Sequence, residues 1–426
     1  MKRIDNIYII VLVFLFFTTT LVKANTHPNG DYISLHPLDT ANLPTITEKY
    51  PKNSTLKRIL NRPSMWKHIK HYLNRNHFSD KSINKLFKLL ERNTKKQIIK
   101  IRCTYPTLNN NKDTLWVSGK IILPINRSLK GIILANHYTI TSNQEAPTNT
   151  TNFEEVFALK GYAVLMPDYI GYGISSSLPH PYLHWQSSAQ TTVDLMTYTT
   201  QLLDYYHYQY QNNLIIFGYS QGAAVALGVT KLLEQDSLPY TINQLYAGAG
   251  PYDIAGTYDY SVQVDSIGIP TAIPMIVMGL SEAYELGLKK QDFFQEPLLS
   301  NYDNWIHSKS YTLNEIQSFF STNRLSQLMT SQGLDKTHPE TAKLYQAMQN
   351  SSLIDYTPQC PSYFFHSLDD DMVPIINTIH LQQHIHATTD STTIFSEQQK
   401  IEFHTPSAGS HMSACIDFVS QVYIEL

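Results

Sequence analysis

Residues 212–235 read NNLIIFGYSQGAAVALGVTKLLEQ. The first half is an apolar run, and the second half is small, alanine-rich and helical in character. Between them stands Gly218-Tyr219-Ser220-Gln221-Gly222, a serine placed where a strand must turn at once into a helix. Such a turn lifts the serine hydroxyl above the sheet. Glycines flank it because backbone segments come close together there. The start of the helix offers free N–H groups and the positive end of its dipole, where a tetrahedral oxyanion would form. This pattern predicts nucleophilic attack by Ser220, with the Gln221 N–H helping to hold the oxyanion.

A nucleophilic serine needs a base and a group to orient that base. On a strand-turn-helix elbow the chain order is serine, acid, histidine. The segment FFHSLDDDMVP supplies the acid from Asp369, Asp370 or Asp371. Asp370 stands three residues before Val373-Pro374 and is the expected member. The other two are expected to be solvated or to cap the next helix. Of the 17 histidines, His411 in PSAGSHMSACIDF follows the last strand and opens the last helix, where a base can reach the serine. His404, its rival, falls on the strand or just after it. The second oxyanion donor is expected from the loop Asn136-His137-Tyr138-Thr139, as the backbone N–H of Tyr138 or Thr139. His137 is read as structural.

The elements that must position these groups follow from the spacing of apolar residues. QIIKIRCTYPT and TLWVSGKIILP alternate like antiparallel strands about a turn at 109–113. Short apolar runs then alternate with helices: 131–136, 162–168, 214–218 and 242–248 as strands, with helices near 152–159, 187–206 and from 221. This is the signature of buried parallel strands in an α/β sheet. The alternation stops at Pro251 and resumes with strands at 362–367 and 400–405 and helices near 375–386 and 411–424. The intervening residues read as a helical cap over the strand ends. Within it IGIPTAIPMIVMGL (267–280) is too apolar for a free loop and should line a pocket or pack on the core. The expected organisation is a leader at 1–24, a helical N-terminal extension at 25–96, an α/β core at 97–250 and 358–426, and a cap at 251–357. The extension shows helical spacing at Trp66, Ile69 and Tyr72, and again at Ile83, Leu86, Leu89 and Leu90.

Together these residues resemble the α/β-hydrolase superfamily, and within it the secreted lipase/esterase branch that carries a helical cap. The likeness spans roughly residues 97–426. GYSQG is also similar to the elbow of cutinases. MPDYIGYGISS (166–176) resembles the P-D-x-x-G-x-G-x-S turn of such enzymes, with Asp168, Gly171, Gly173 and Ser175 in structural roles. LPHPYLH after it, with His180, Pro181 and Tyr182, is similar to a segment of capped esterases that shapes the site rim. Two departures stand out. His137-Tyr138 replaces the usual His-Gly of the oxyanion loop, and His366-Ser367 replaces the His-Gly before the acid. The resemblance implies a secreted serine hydrolase that cleaves carboxylic esters through an acyl-enzyme. Two other readings compete with it. One is a peptidase of the same fold, with Glu282 and Glu285 on one helical face as an anchor for a free amine. The other is a silent binding protein that uses some of the 28 tyrosines.

Composition narrows the field. Hydrophobic residues are 42% and charged residues 16% of the 426, so the chain has the makings of a large core. The net charge is -3 and no block of like charge occurs, so nucleic acid is not an expected partner. The expected partner is a small or lipid-like ester, with no cofactor and no metal. Lys2 and Arg3, the apolar run 7–17 and Val22-Lys23-Ala24 have the order of a secretory signal, with cleavage after Ala24 and no stable membrane span afterwards. The competing reading is an uncleaved anchor. Of Cys103, Cys360 and Cys415, only Cys360–Cys415 is considered as a bridge; three buried thiols are the alternative.

Overall fold

The computed structural model describes residues 33–34, 98–109, 111–125, 128–235, 240–388 and 400–426. The leader and nearly all of the N-terminal extension lie outside the described residues. The exception is Ile33–Ser34 (β1), which pairs in parallel with the next strand.

Ile98–Leu108 (β2) and Thr114–Pro124 (β3) form an antiparallel hairpin paired along its whole length. Its turn closes where the Asn109 side chain accepts from the Asp113 N–H at 2.8 Å. The remaining strands are Ser128–Leu129 (β4), Ile132–Asn136 (β5), Ala163–Pro167 (β6), Gln209–Tyr210 (β7), Leu214–Tyr219 (β8), Ile242–Gly248 (β9), Ser362–Phe365 (β10) and Ile401–His404 (β11). Among the described residues, nine form one sheet in the order β1-β2-β3-β6-β5-β8-β9-β10-β11, and β4 pairs with β7. From β6 to β11 every pairing is parallel.

The central strands β5, β6 and β8 are buried along their whole length, which explains their unbroken apolar sequences. Successive residues feed opposite faces. Ile132, Leu134, Leu214 and Ile216 join one core with Trp185–Tyr205 (α1) and Gln221–Gln235 (α2). Ile133, Ala135, Ile215 and Phe217 join the other with Phe418 and Val419. Phe418 stacks on Phe217 with ring centroids 5.5 Å apart and touches Tyr219 and Phe365. Truncating such a residue to alanine costs about 3–5 kcal/mol, and here it would loosen the strand that carries the serine.

The two faces also decide the cysteines. Cys360 belongs to the first core and Cys415 to the second, so the sheet separates them. All three cysteines are buried free thiols, and the considered bridge is absent.

Between β9 and β10 the described chain is helical, apart from an isolated bridge between Phe294 and Met329. Its longer helices are Ile254–Val264 (α3), Ala272–Ala283 (α4) and Pro339–Asn350 (α5). They enclose a separate apolar cluster that includes Met275, Val277, Leu280 and Leu344. The segment 267–280 therefore packs as a core of its own. It also meets the HPYLH segment, since a Cβ on Gly279 would lie 2.6 Å from the Tyr182 nitrogen. After β10 come Ile376–Thr388 (α6) and, after β11, His411–Glu425 (α7).

Candidate active site

Ser220 occupies the one-residue turn between β8 and α2 with φ of +56°, a left-handed conformation that costs a non-glycine residue energy. The turn is held from both sides. The Ser220 N–H donates to the Gly248 carbonyl at 2.8 Å, and its carbonyl accepts from Ala223 at 2.9 Å. The flanking glycines answer to sterics. A Cβ on Gly218 would meet the Gly222 carbonyl oxygen at 1.9 Å. Ser220 is 7% exposed.

The parallel pairing of β10 with β11 brings the loops after them side by side. His366 N–H donates to the His404 carbonyl and Leu368 N–H to the Pro406 carbonyl. The Ser367 hydroxyl donates to the Gly409 carbonyl at 2.7 Å. Across this paired turn, His411 Nδ1 lies 2.7 Å from Asp370 Oδ2, with the carboxylate fully buried. Asp370 Oδ1 accepts from the Met372 and Val373 N–H groups at 2.9 and 2.8 Å. His366 Nε2 lies 3.4 Å from Asp370 Oδ2 and 3.0 Å from the Val373 carbonyl. Burial alone would raise the Asp370 carboxyl. The hydrogen bonds from His366 and His411, and their charges, outweigh burial and hold it well below the usual carboxylate range.

The three adjacent aspartates thus have three different partners. Asp371 Oδ1 accepts from the His411 N–H at 2.9 Å, so it caps α7, which is not the helix that follows it in sequence. Asp369 takes the Ser407 hydroxyl. His404 sits exposed at the end of β11, its ring stacked near Tyr363, away from this carboxylate.

Ser220 and His411 are drawn together through Tyr219. Its hydroxyl donates to the His411 carbonyl at 2.7 Å, and its ring centroid lies 4.9 Å from the imidazole. The loop after β5 abuts the start of α2. A Cβ on Gly222 would lie 2.1 Å from the Asn136 carbonyl oxygen and 2.9 Å from that of His137. Thr139 Oγ1 bonds Tyr182 Oη at 2.8 Å, and Tyr138 stacks parallel to Phe153. Gln221 is the first residue of α2 and is buried.

The resemblance sets His180 on the site rim without showing what it touches. It is buried, and it meets Gln221, the residue after Ser220. Its Nδ1 donates to the Ile170 carbonyl at 2.8 Å, so Nε2 accepts from Gln221 Nε2 at 3.0 Å. Burial pulls its pKa down to about 3, and the ring stays neutral. The spacing of Asp168, Gly171 and Ser175 gave the one usable signal, because that turn seats His180. Asp168 accepts from Ser118 and Thr148, and a Cβ on Gly171 would strike the His180 backbone at 2.7 Å.

Glu282 and Glu285 do not share a helical face. Helix α4 ends at Ala283, and Glu285 lies beyond it with φ of +52°. Its carboxylate accepts from Asn111 at the tip of the β2–β3 hairpin. The anchor proposed for a peptidase is therefore not assembled. Among the described residues, no group of three or more His, Cys, Asp or Glu side chains is arranged to hold a metal ion, and no helix is long and apolar enough to cross a membrane.

A mostly parallel sheet, a serine elbow after a central strand, and an acid and a histidine on the last two loops define an α/β-hydrolase. The model of the secretory lipase family matches residues 143–423. The chain belongs to that family. It is a carboxylic ester hydrolase of the lipase/esterase type, in a family whose members are secretory. The match takes in Ser220, Asp370 and His411 and begins after the loop that carries Tyr138 and Thr139. No curated protein matches the chain. Among solved structures, a ligand-bound form of the rice cell wall degrading esterase LipA from Xanthomonas oryzae is 20% identical, with a TM-score of 0.67 over 78% of this chain and 91% of that one. Candida antarctica lipase A in its closed state is 14% identical, with a TM-score of 0.59 over 77% of each chain. At these identities the likeness is one of fold.

Proposed function

We propose that Ser220, His411 and Asp370 form the catalytic triad of this ester hydrolase. Ser220 Oγ attacks the ester carbonyl while His411 Nε2 takes its proton. The tetrahedral oxyanion is held by the Gln221 N–H and by an N–H of the loop at Tyr138 and Thr139. Collapse expels the alcohol, which leaves with the proton returned by His411. Water activated by the same imidazole then releases the acid and restores Ser220. Asp370 keeps the imidazole in the tautomer with Nε2 free and balances the imidazolium charge. The observation that carries this reading is the 2.7 Å contact between His411 Nδ1 and Asp370 Oδ2, set on the loop beside the Ser220 elbow.

The cap at 251–357 sets substrate size, and its apolar helices suit an apolar acyl or aromatic group. Short to medium acyl esters are the expected substrates, and aminoacyl amides should be cleaved far more slowly. The chain is exported by a leader removed after Ala24, leaving no membrane span. Labelling the purified enzyme with a fluorophosphonate and mapping the adduct tests the nucleophile. A label on any residue other than Ser220 refutes the assignment. N-terminal sequencing of the exported protein tests the leader.

A further inference from the structure

The segment before the acid departs from the resemblance at Ser367, where glycine is expected. The side chain that this departure adds is fully buried. Its hydroxyl donates to the Gly409 carbonyl at 2.7 Å. It accepts from the Ala408 N–H at 3.1 Å and from the Asp369 N–H at 3.2 Å. A serine hydroxyl has one hydrogen to give and two lone pairs, so Ser367 is used to capacity. Two of its bonds cross to the chain that leads into His411, and the third stays within the loop of Asp370.

What those bonds hold is the approach to the base. Residues 405–410 join β11 to α7 and belong to neither. Ser407, Gly409 and Ser410 are exposed there, so packing does little to fix the segment. Helix α7 does not fasten its own start either, because Ser410 at its N-cap makes no side-chain cap bond. The fastening comes from the acid loop. Asp371 takes the His411 N–H, Asp369 takes the Ser407 hydroxyl, and the Leu368 N–H donates to the Pro406 carbonyl. Asp371 and Ser407 are exposed, and water competes for their bonds. The Ser367 side chain is out of water, and it grips the chain at the two residues next before Ser410 and His411.

We infer that Ser367 is a positioning residue for the triad: its hydroxyl clasps the loop of the acid to the loop of the base and so sets the His411 imidazole against Asp370. This rests on the reading of Asp370 and His411 as triad members and deepens it. A glycine at 367 could make none of the side-chain bonds, so the clasp belongs to this chain and does not follow from the resemblance. The catalytic contact and the clasp bridge the same two loops, and loosening one lets the other drift.

Ser367→Ala tests the inference, because it removes the hydroxyl and nearly keeps the volume. On nitrophenyl acetate its kcat should fall roughly tenfold to hundredfold with KM little changed, as a misplacement of about 1 Å in a catalytic group can cost that much. Inactivation by a small fluorophosphonate needs an activated Ser220 but no bound ester, and it should slow by a similar factor. Amide hydrogen exchange at Ala408 should speed up in the same variant. Ser407→Ala, which removes an exposed bond of the same loop, should stay within a few fold of wild type. A folded Ser367→Ala with wild-type kcat, a loss confined to KM, an equal loss in Ser407→Ala, or a loss of kcat with unchanged exchange at Ala408 would each overturn the inference. His411→Ala and Asp370→Asn keep the two levels of the argument apart. If either is as active as wild type, the triad reading itself falls. If both are disabled, any adverse result with Ser367→Ala refutes only the clasp.

Discussion

Gly222 stands so close to Asn136 that a Cβ on the glycine would lie 2.1 Å from the Asn136 carbonyl oxygen. The obstacle is backbone, which cannot rotate away as a side chain can. The start of the serine helix and the end of β5 are thus fitted to each other, and the loop carrying Thr139 continues from that contact. Gly222→Ala should push the loop outward and misplace the oxyanion donor. The expected result is a kcat reduced about a hundredfold with KM nearly unchanged, and stability lowered by about 1–3 kcal/mol from overpacking. Steady-state kinetics on a nitrophenyl ester and urea unfolding would measure both. Full activity in the variant would mean that the contact does not set the loop.

The three aspartates separate cleanly by partner, so their variants should separate by phenotype. Asp370→Asn should lose roughly 10⁴-fold in kcat, because the amide cannot hold the imidazole tautomer. Asp371→Ala should instead cost about 0.5–2 kcal/mol of stability, the worth of a helix cap, with activity reduced far less. His411→Ala should be inactive, while His404→Ala, exposed on β11, should stay within a few fold of wild type. Turnover and thermal unfolding of the set would decide it. An inactive His404→Ala beside an active His411→Ala contradicts the assignment.

Much of this site is legible in the sequence, for reasons that differ residue by residue. The serine elbow shows because strand, turn and helix must all be written locally around Ser220. Asp370 shows because its side chain bonds the Met372 and Val373 N–H groups within its own loop, so the spacing to Val373-Pro374 reflects a local turn. The partner of Asp371 is not legible, since His411 lies 40 residues on and is reached only through the pairing of β10 with β11. His180 escaped for the same reason: its contact with Gln221 spans 41 residues. Glu282 and Glu285 misled because a spacing of three implies a shared face only while the helix continues, and α4 stops between them. The cysteines stayed open between one bridge and three buried thiols, because sequence does not say which face of the sheet each one joins.

Glu154, near the start of Phe153–Lys160, is 1% exposed, and its Oε2 has no hydrogen-bond partner among the described residues. Burial pushes its pKa up to about 8. An unfolded chain releases this proton near pH 4.3. Between about 4.3 and 8 the folded protein holds a proton that the unfolded chain has lost, so stability falls as pH rises through that window. Glu154→Gln stays neutral and escapes the penalty. Its advantage over wild type should be near zero at pH 4 and grow to the order of a few kcal/mol by pH 8. Denaturant unfolding of both proteins across that range would show it, and a pH-independent difference would contradict it.

Lys309 ties the helical insertion to the core. It is 8% exposed, and its ammonium donates to the carbonyls of Gly171 at 2.6 Å, Ser176 at 2.9 Å and Leu178. Those three carbonyls line the turn that follows β6 and seats His180. The backbone at Lys309 is engaged as well, since its carbonyl accepts from the Asn143 N–H at 2.9 Å. Lys309→Met keeps the stem and removes every donor, leaving several buried carbonyls without a partner. Each such group costs about 1–3 kcal/mol, offset in part because an ammonium no longer has to be buried, so a net loss of roughly 2–4 kcal/mol is expected. The loss should be local first, because the insertion has its own apolar cluster and the sheet does not depend on Lys309. Limited proteolysis should therefore cut the variant near residues 303–320 while the core resists, under conditions where wild type is intact. If the insertion closes over bound substrate, KM for the longer acyl esters should rise more than KM for acetate, with kcat for acetate little changed. Cleavage that begins instead in the sheet, or an unaltered proteolytic pattern, would mean that Lys309 does not fasten the insertion.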